Sequence, residues 1–491
     1  MPKIRSVKFN FVMNCILTLS NIIFPLITFP YVSRILLPEG TGRVAFATSV
    51  VTYFSMFAQL GIPTYGIRAC AKVREDKEKL TRTVHEIFFI NIIMCVFAYI
   101  AFFAALLFIP RLQSDKVLFI VVSSTILFNA LGMEWAYKAL EQYSYITVRS
   151  VAFKLVALVA MFLLVKQQKD YIIYGGITIF AGVGSNILNF INIRKIISFR
   201  YVGHYDLKQH FKPILIFFAM SVAATIYTNL DNIMLGAIKG NIDVGYYNAA
   251  VKIKSILVSF VTSLGAVLLP RVSFYFDNGM KKEFRQITKK AIEFVVLLAC
   301  PVTIYFIIYA KESILFLSGK AFVGAVIPMQ LIMPTVLLIG LTNLMGIQML
   351  VPMGFEKIVL YSEIAGATID LIINFILIPP LASSGASIAA LAAETTVFIV
   401  QFFALRKMVL PLFRKLEHSK IIMSLILSSA LSLPIKMVPT GNFLKLVISA
   451  LIFFGVYMII LNVLKEPLVI DLEKQVLAKY LNKLRPNVKE N

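Results

Sequence analysis

Charge is scarce in this sequence. Only 15% of its 491 residues are Asp, Glu, Lys or Arg, 59% are hydrophobic, and the mean hydropathy is +0.83. Soluble domains hold about 45–50% apolar residues, so no soluble core absorbs this much apolar surface. Acid is scarcer than base, with 25 Asp and Glu against 48 Lys and Arg, a net charge of +23. In a soluble protein that surplus would point to nucleic acid. Here the bases sit in short segments between apolar runs, so they are a signal of membrane topology, and nucleic acid is not a partner.

Catalytic and cofactor signatures are also missing. The four cysteines, Cys15, Cys70, Cys95 and Cys300, are far apart with no CxxC spacing, which speaks against a disulfide framework or a zinc site. His85, His204, His210 and His418 are scattered in segments read as cytoplasmic and form no metal motif. Gly319-Lys320 lacks the upstream glycine of a phosphate-binding loop, and no G-x-S-x-G occurs. No segment between apolar runs exceeds about 25 residues, too short for a folded domain. Direct ATP hydrolysis by this chain is therefore not expected, and no cofactor is implied.

Long apolar runs are abundant. A helix needs about 20 mostly apolar residues to cross a bilayer. That ruler places spans near 9–31, 43–65, 86–109, 116–138, 145–166, 171–193, 211–236, 244–270, 287–310, 324–352, 357–378, 382–405, 420–437 and 444–464. The expected fold is therefore an all-α polytopic membrane protein of about fourteen transmembrane helices. Lys3, Arg5 and Lys8 precede an apolar stretch that runs to Pro30, too long for a signal-peptide core, so it is read as the first retained span. Lys and Arg in alternate connections stand at roughly three to one, which puts both termini in the cytoplasm. In the tail from Pro467, Leu468, Leu472, Val476, Tyr480 and Leu484 are four apart, as in an amphipathic helix lying on the membrane surface.

Two segments echo each other. Leu36, Leu37, Pro38, Glu39, Gly40, Thr41, Gly42 and Arg43 lead to Ala45, Ala47 and Leu60-Gly61; Met234, Leu235, Gly236, Gly240, Val244, Gly245 and Tyr246 lead to Ala249, Ala250 and Leu264-Gly265. An even number of spans separates them, so both enter from the same face. That predicts two six-helix lobes related by a pseudo-two-fold axis along the membrane normal, residues 1–206 and 207–416. Two further helices over 417–466 and a cytoplasmic tail over 467–491 complete the organisation.

A charge at the centre of a span costs about 2.5–3.5 kcal/mol on insertion scales, so such residues face a cavity or a partner. The cations are Lys154 in the fifth span, Lys252 and Lys254 in the eighth, and Arg34, Arg68, Lys138 and Arg149 nearer helix ends. Lys154 and Lys252 lie roughly 12–14 Å along their helices. A buried ammonium needs an anion, and a pyrophosphate in an electropositive cavity would satisfy it; an ion pair or snorkelling to the interface is the structural alternative. Glu134 and Lys138, four apart, are read as a structural pair. Asp231, Glu363, Asp370 and Glu394 are candidate proton or cation-coupling acids, with Glu363, Asp370 and Asn374 on one helical stripe. Asn14, Thr18 and Asn21 in the first span, and Ser185, Asn189 and Asn192 in the sixth, face either a wet cavity or neighbouring helices. Pro25, Pro30, Pro328 and Pro334 are expected to bend their helices.

Two stretches carry a family resemblance. FPLITFPYVSRILLPEGTGRVAFATSVVTYFSMFAQLGIPTYGIR, Phe24 to Arg68, resembles the opening of the polysaccharide biosynthesis, or Wzx-type, flippases, and TNLDNIMLGAIKGNIDVGYYNAAVKI, Thr228 to Ile253, resembles the start of their second half. The resemblance implies the multidrug/oligosaccharidyl-lipid/polysaccharide exporter superfamily: two lobes around a central cavity in the bacterial cytoplasmic membrane. It implies an undecaprenyl-pyrophosphate-linked oligosaccharide as substrate, flipped between leaflets by alternating access, with coupling to a proton or sodium gradient. Polysaccharide polymerase and glycosyltransferases are the implied partners. The cationic cavity is assigned to Lys154, Lys252, Lys254, Arg34, Arg68 and Arg149, lined by Asn14 and Asn21. The rival readings are a multidrug exporter, whose cationic substrates favour acids over buried lysines, a peptidoglycan-precursor lipid flippase, and, from another class, a membrane polysaccharide polymerase, which usually needs a larger external loop.

Overall fold

The computed structural model describes residues 6–470 and Glu473. Among them all regular structure is helical. Eight helices are long and apolar enough to cross a membrane, and nine if the pair Lys320–Ile332 and Thr335–Leu350, bent by 45°, forms one span. The bend falls at Pro334, which stands at the N-cap of Thr335–Asn343 and supplies no backbone N–H to continue the ladder.

Two expected pairs of spans are joined end to end. The first helix runs Val7–Gln59 through Pro25 and Pro30 and is interrupted only at Leu37 (φ 57°, ψ −179°). The residue before a proline is pushed out of the α region, and proline suits the first position of a helix, so Leu37-Pro38 ends one helical run and begins the next without a loop. The helix Glu356–Phe413 is also interrupted, at Ala382 (φ 49°, ψ −127°), two residues after Pro380. The amphipathic tail expected from Pro467 lies outside the described residues beyond Ile470, Glu473 excepted.

The helices are inside out relative to a soluble protein. Tyr143–Leu164 buries Arg149, Ser150 and Lys154 with Ala157 and Met161, while Val148, Leu155, Val159 and Leu163 are exposed. An aliphatic face turned outward and a charged face turned inward is the stable arrangement where the solvent is hydrocarbon. The chain is a multi-pass membrane protein.

The helices form two compact units. One comprises the chain to Ala249 with Leu317–Gly324 and Asp370–Ala386; the other comprises Ala250–Phe316, Ala325–Ile369 and the chain from Ser387. In the first, Val7–Gln59 packs against Lys77–Phe108, Lys116–Gly132, Tyr143–Leu164 and Lys208–Ile238. Its core includes Leu60, Ile62, Trp135, Tyr137 and Ile214. In the second, His418–Ser432 packs on Asn442–Val463, where Tyr305, Tyr309 and Phe453 form a cluster and the two phenols donate to the Leu446 and Ser432 carbonyls at 2.8 and 2.6 Å.

The two echoing segments meet within the first unit. A Cβ on Gly42 would overlap the Asn241 carbonyl, and a Cβ on Gly245 would overlap the Pro38 carbonyl. Each glycine thus admits backbone from the other copy, a reciprocal approach that no larger residue permits.

Candidate functional site

The charged interior of the first unit is built from four helical segments. Lys154 is 7% exposed, and its Nζ donates to Ser20 Oγ at 2.8 Å and to Asn21 Oδ1. Arg149, 5% exposed, donates from Nη1 to Asn186 Oδ1 at 3.0 Å and lies 3.6 Å through Nη2 from Glu134 Oε2. Glu134 also pairs with Lys138 at 2.8 Å, the expected i, i+4 contact, and acts electrostatically on Lys154. Three cations therefore share one carboxylate. The partners of Lys154 are neutral, and its ammonium has no carboxylate within ion-pair distance among the described residues.

Local structure places the acceptors. Pro25 and Pro30 leave the first helix unbroken at Ser20 and Asn21, which face Tyr143–Leu164. In the sixth expected span a π-turn, Phe180–Gly184, separates Tyr171–Ile179 from Asn186–Asn192. Downstream of it Ser185 and Asn189 of the expected stripe are buried, and Asn186, next to Ser185, is buried with them and meets Arg149. Gly132 permits the approach, since a Cβ there would press on the Asn186 amide at 2.5 Å.

The remaining sequence candidates lie elsewhere. Asn14 and Asn21 are both exposed on the first helix; the Asn14 carbonyl accepts from Thr18 Oγ1 at 2.9 Å, so Asn21 belongs to the Lys154 cluster and Asn14 stands a full turn or more away. Arg34 is exposed at the far end of that run and donates to the Pro30 carbonyl and, at 3.3 Å, to the Leu317 carbonyl. Arg68 is exposed on Ile62–Lys72. Neither arginine joins the cluster; both are exposed. Lys252 and Lys254, partly buried on Asn241–Asp277, belong to the second unit.

Two of the candidate acids converge. Asp231, 8% exposed, accepts from Asn374 Nδ2 at 2.6 Å and from the Tyr247 hydroxyl. Asp370, one helical turn before Asn374 and 2% exposed, acts electrostatically on Tyr247 and Tyr53, as Asp231 does. The adjacent Asn232 donates to Ser49 Oγ at 3.1 Å. Glu363 is partly buried and Glu394 is 8% exposed, both in the second unit. The histidines are less scattered than their spacing implied. His210 binds Glu86 at 2.9 Å and the Tyr65 hydroxyl at 2.6 Å, and His85 binds the Tyr205 hydroxyl at 2.9 Å. No group of three or more metal-ligating side chains occurs among the described residues.

The chain's long apolar helices and the cationic interior of its first unit suit a membrane transporter, the class to which its relatives point. Its fold is similar to that of the lipid II flippase MurJ in its inward closed conformation, with a TM-score of 0.73 at 15% identity over 94% of this chain and 100% of that one. It is also similar to an inward-facing multidrug resistance MATE family transporter of the MOP superfamily, with a TM-score of 0.61 at 14% identity over 83% of this chain and 99% of that one. In sequence the chain is 26% identical over 383 residues to a protein named putative O-antigen transporter from Escherichia coli (strain K12), covering 77% of this chain and 91% of that protein. It is 23% identical over 407 residues to a protein of the same name from Shigella dysenteriae, covering 79% and 97%. The profile of the family described as polysaccharide biosynthesis protein matches residues 7–276. The chain belongs to this polysaccharide biosynthesis family, as the stretches from Phe24 and Thr228 indicated.

Proposed function

We propose that the protein flips an undecaprenyl-pyrophosphate-linked oligosaccharide from the inner to the outer leaflet of a bacterial cytoplasmic membrane by alternating access. The supporting observation is the excess of buried cation around Lys154. An ammonium hydrogen-bonded to a hydroxyl and an amide, and sharing the one carboxylate of Glu134 with two other cations, is left to attract an incoming anion, and weak screening strengthens that attraction. The pyrophosphate is the anion, the amides and hydroxyls of the first span face the sugars, and the polyprenyl tail stays in lipid.

In this reading the chain has about fourteen spans, arranged as lobes 1–206 and 207–416 with two extra helices over 417–466. The breaks at Leu37 and Ala382 support that count by dividing two long helices. Both termini are cytoplasmic on the Lys and Arg asymmetry. Lys252 and Lys254 supply the cationic side chains of the second half. Asp231 and Asp370 carry the coupling proton or sodium ion, because two carboxylates beside two phenols favour a bound cation or a shared proton. Glu363 and Glu394 are the secondary candidates for this role. Glycosyltransferases supply the substrate and a polymerase consumes it on the far side.

The test is export of surface polysaccharide by Lys154→Ala and Lys252→Ala in a strain lacking the native gene, with protein level measured in the membrane fraction. Loss of export at unchanged level is the expected result; normal export from both variants defeats the reading.

A further inference from the structure

The break at Leu37 opens a second polar site, remote in sequence and depth from Lys154. Val7 to Leu36 spans about 45 Å at 1.5 Å per residue, longer than the roughly 30 Å hydrocarbon core, so Leu37 stands at the membrane face opposite the N-terminus. A cavity of 460 Å³ lies there, lined by the break itself, the short helix Gln168–Asp170 and the start of Asn241–Asp277. That volume falls in the range of sites for small organic ligands. Leu37 is a non-glycine residue with φ 57°, a conformation costly enough to survive only where its surroundings enforce it, and such outliers cluster at functional sites.

Its charges are already balanced. Arg43 donates to Asp115 Oδ1 at 2.6 Å and to Glu39 Oε1 at 2.7 Å, and its guanidinium lies 5.0 Å from the centre of the Tyr171 ring. Tyr171 in turn donates to Asp115 at 3.1 Å. The rim is held rigid by Asp170, which accepts from the backbone N–H groups of Lys166 and Gln167 at 2.8 Å each. Those bonds hold the Asp170 carboxyl below the usual carboxylate range. With the guanidinium engaged by two carboxylates, the cavity offers an anion little beyond the exposed Lys169. It does offer neutral hydrogen-bonding groups, the Gln168 amide and the Tyr246 phenol, beside apolar walls from Leu36, Pro38 and Ile242. The Tyr246 ring is braced edge-on by Phe322 at 6.3 Å and closely approached by Gly324.

A sugar ring presents that combination in reverse, hydroxyls around its edge and C–H groups across its face. We infer that this cavity is a saccharide subsite at the external mouth, which takes a short uncharged stretch of glycan and holds it as the headgroup leaves the interior. The inference rests on the flippase reading and assigns it a second contact, one that recognises sugar where the Lys154 cluster recognises phosphate.

The test uses the full chain in lipid nanodiscs and saturation-transfer NMR with maltose, lactose and chitobiose as probes and inorganic pyrophosphate as competitor. At least one disaccharide should bind, and Gln168→Ala combined with Tyr246→Phe should weaken it by about tenfold, the loss of two hydrogen bonds. Tyr246→Phe keeps the ring contacts, and Gln168 is exposed, so the double variant folds; its thermal melting is checked against the parent. Pyrophosphate should leave the disaccharide signal unchanged. Absence of binding by all three sugars, undiminished binding by the double variant, or displacement by pyrophosphate overturns the subsite. Export by the Lys154 and Lys252 variants bears on the flippase reading alone, so the two can fail separately.

Discussion

The ammonium of Lys154 lies 2.8 Å from the hydroxyl of Ser20, a residue 134 positions earlier on another helix. The contact fixes the lysine against the first helix without neutralising it, because a hydroxyl accepts a hydrogen bond but carries no charge. A buried cation so held is ready for an anion that arrives from outside the protein.

If charge at that position is what export requires, Lys154→Met should reduce surface polysaccharide by more than about tenfold, the scale expected when one member of a buried charge pair is removed. Lys154→Arg should restore a substantial part, since it keeps the charge and can still donate to Ser20 and Asn21. Immunoblots of surface polysaccharide, normalised to membrane protein, measure both. Equal export by Met and Arg variants would show that the charge is idle.

The acids near Tyr247 make a separate prediction. Asp231 accepts hydrogen bonds from Asn374 and Tyr247, and bonds to a charged group are worth about 1.5–3 kcal/mol each. Asp231→Asn and Asp370→Asn should uncouple export from the ion gradient, lowering gradient-driven transport in inverted vesicles by at least about tenfold. Transport that still responds to collapse of the proton or sodium gradient as the parent does would remove these residues from the coupling role.

Gly42 and Gly245 should tolerate no side chain. Gly245→Ala places a Cβ against the Pro38 carbonyl, and backbone cannot yield as a side-chain end can. Overpacking of this kind costs about 1–3 kcal/mol or more. Gly245→Ala and Gly42→Ala should therefore lower the thermal unfolding midpoint in detergent and the amount of folded protein, whereas Gly182→Ala, with no atom within 4 Å of its added Cβ, should leave both unchanged.

Orientation is checked at Ala321, which is exposed and lines the outer cavity. Ala321→Cys should react with a membrane-impermeant maleimide in intact spheroplasts, above the background of the parent chain. Labelling only after the membrane is opened would reverse the assigned topology.

Much of this molecule was legible before any coordinates. Apolar run length marks the spans, because a bilayer of fixed thickness demands a minimum of about 20 apolar residues. The Glu134 and Lys138 pair could also be read, being four apart on one helix. The identity of the buried lysines as interior residues follows from the same solvent argument, since hydrocarbon rejects them. The membership of Asn186 could not be read, because Ser185, Asn186 and Asn189 are all buried on that segment and which of them meets Arg149 depends on how the helices pack. Arg34 and Arg68 share the residue type of the cluster and, like Arg149, lie nearer helix ends, but they are exposed and outside it.

The division has one physical origin. Hydropathy, proline placement and the asymmetry of Lys and Arg are properties of consecutive residues facing a uniform solvent, so composition and order determine where the chain crosses and what it keeps from lipid. Which carboxylate shares which cation, or that Asn374 reaches Asp231 across 143 positions, depends on how far each helix is rotated about its own axis. Only the packing of helices against one another decides that rotation.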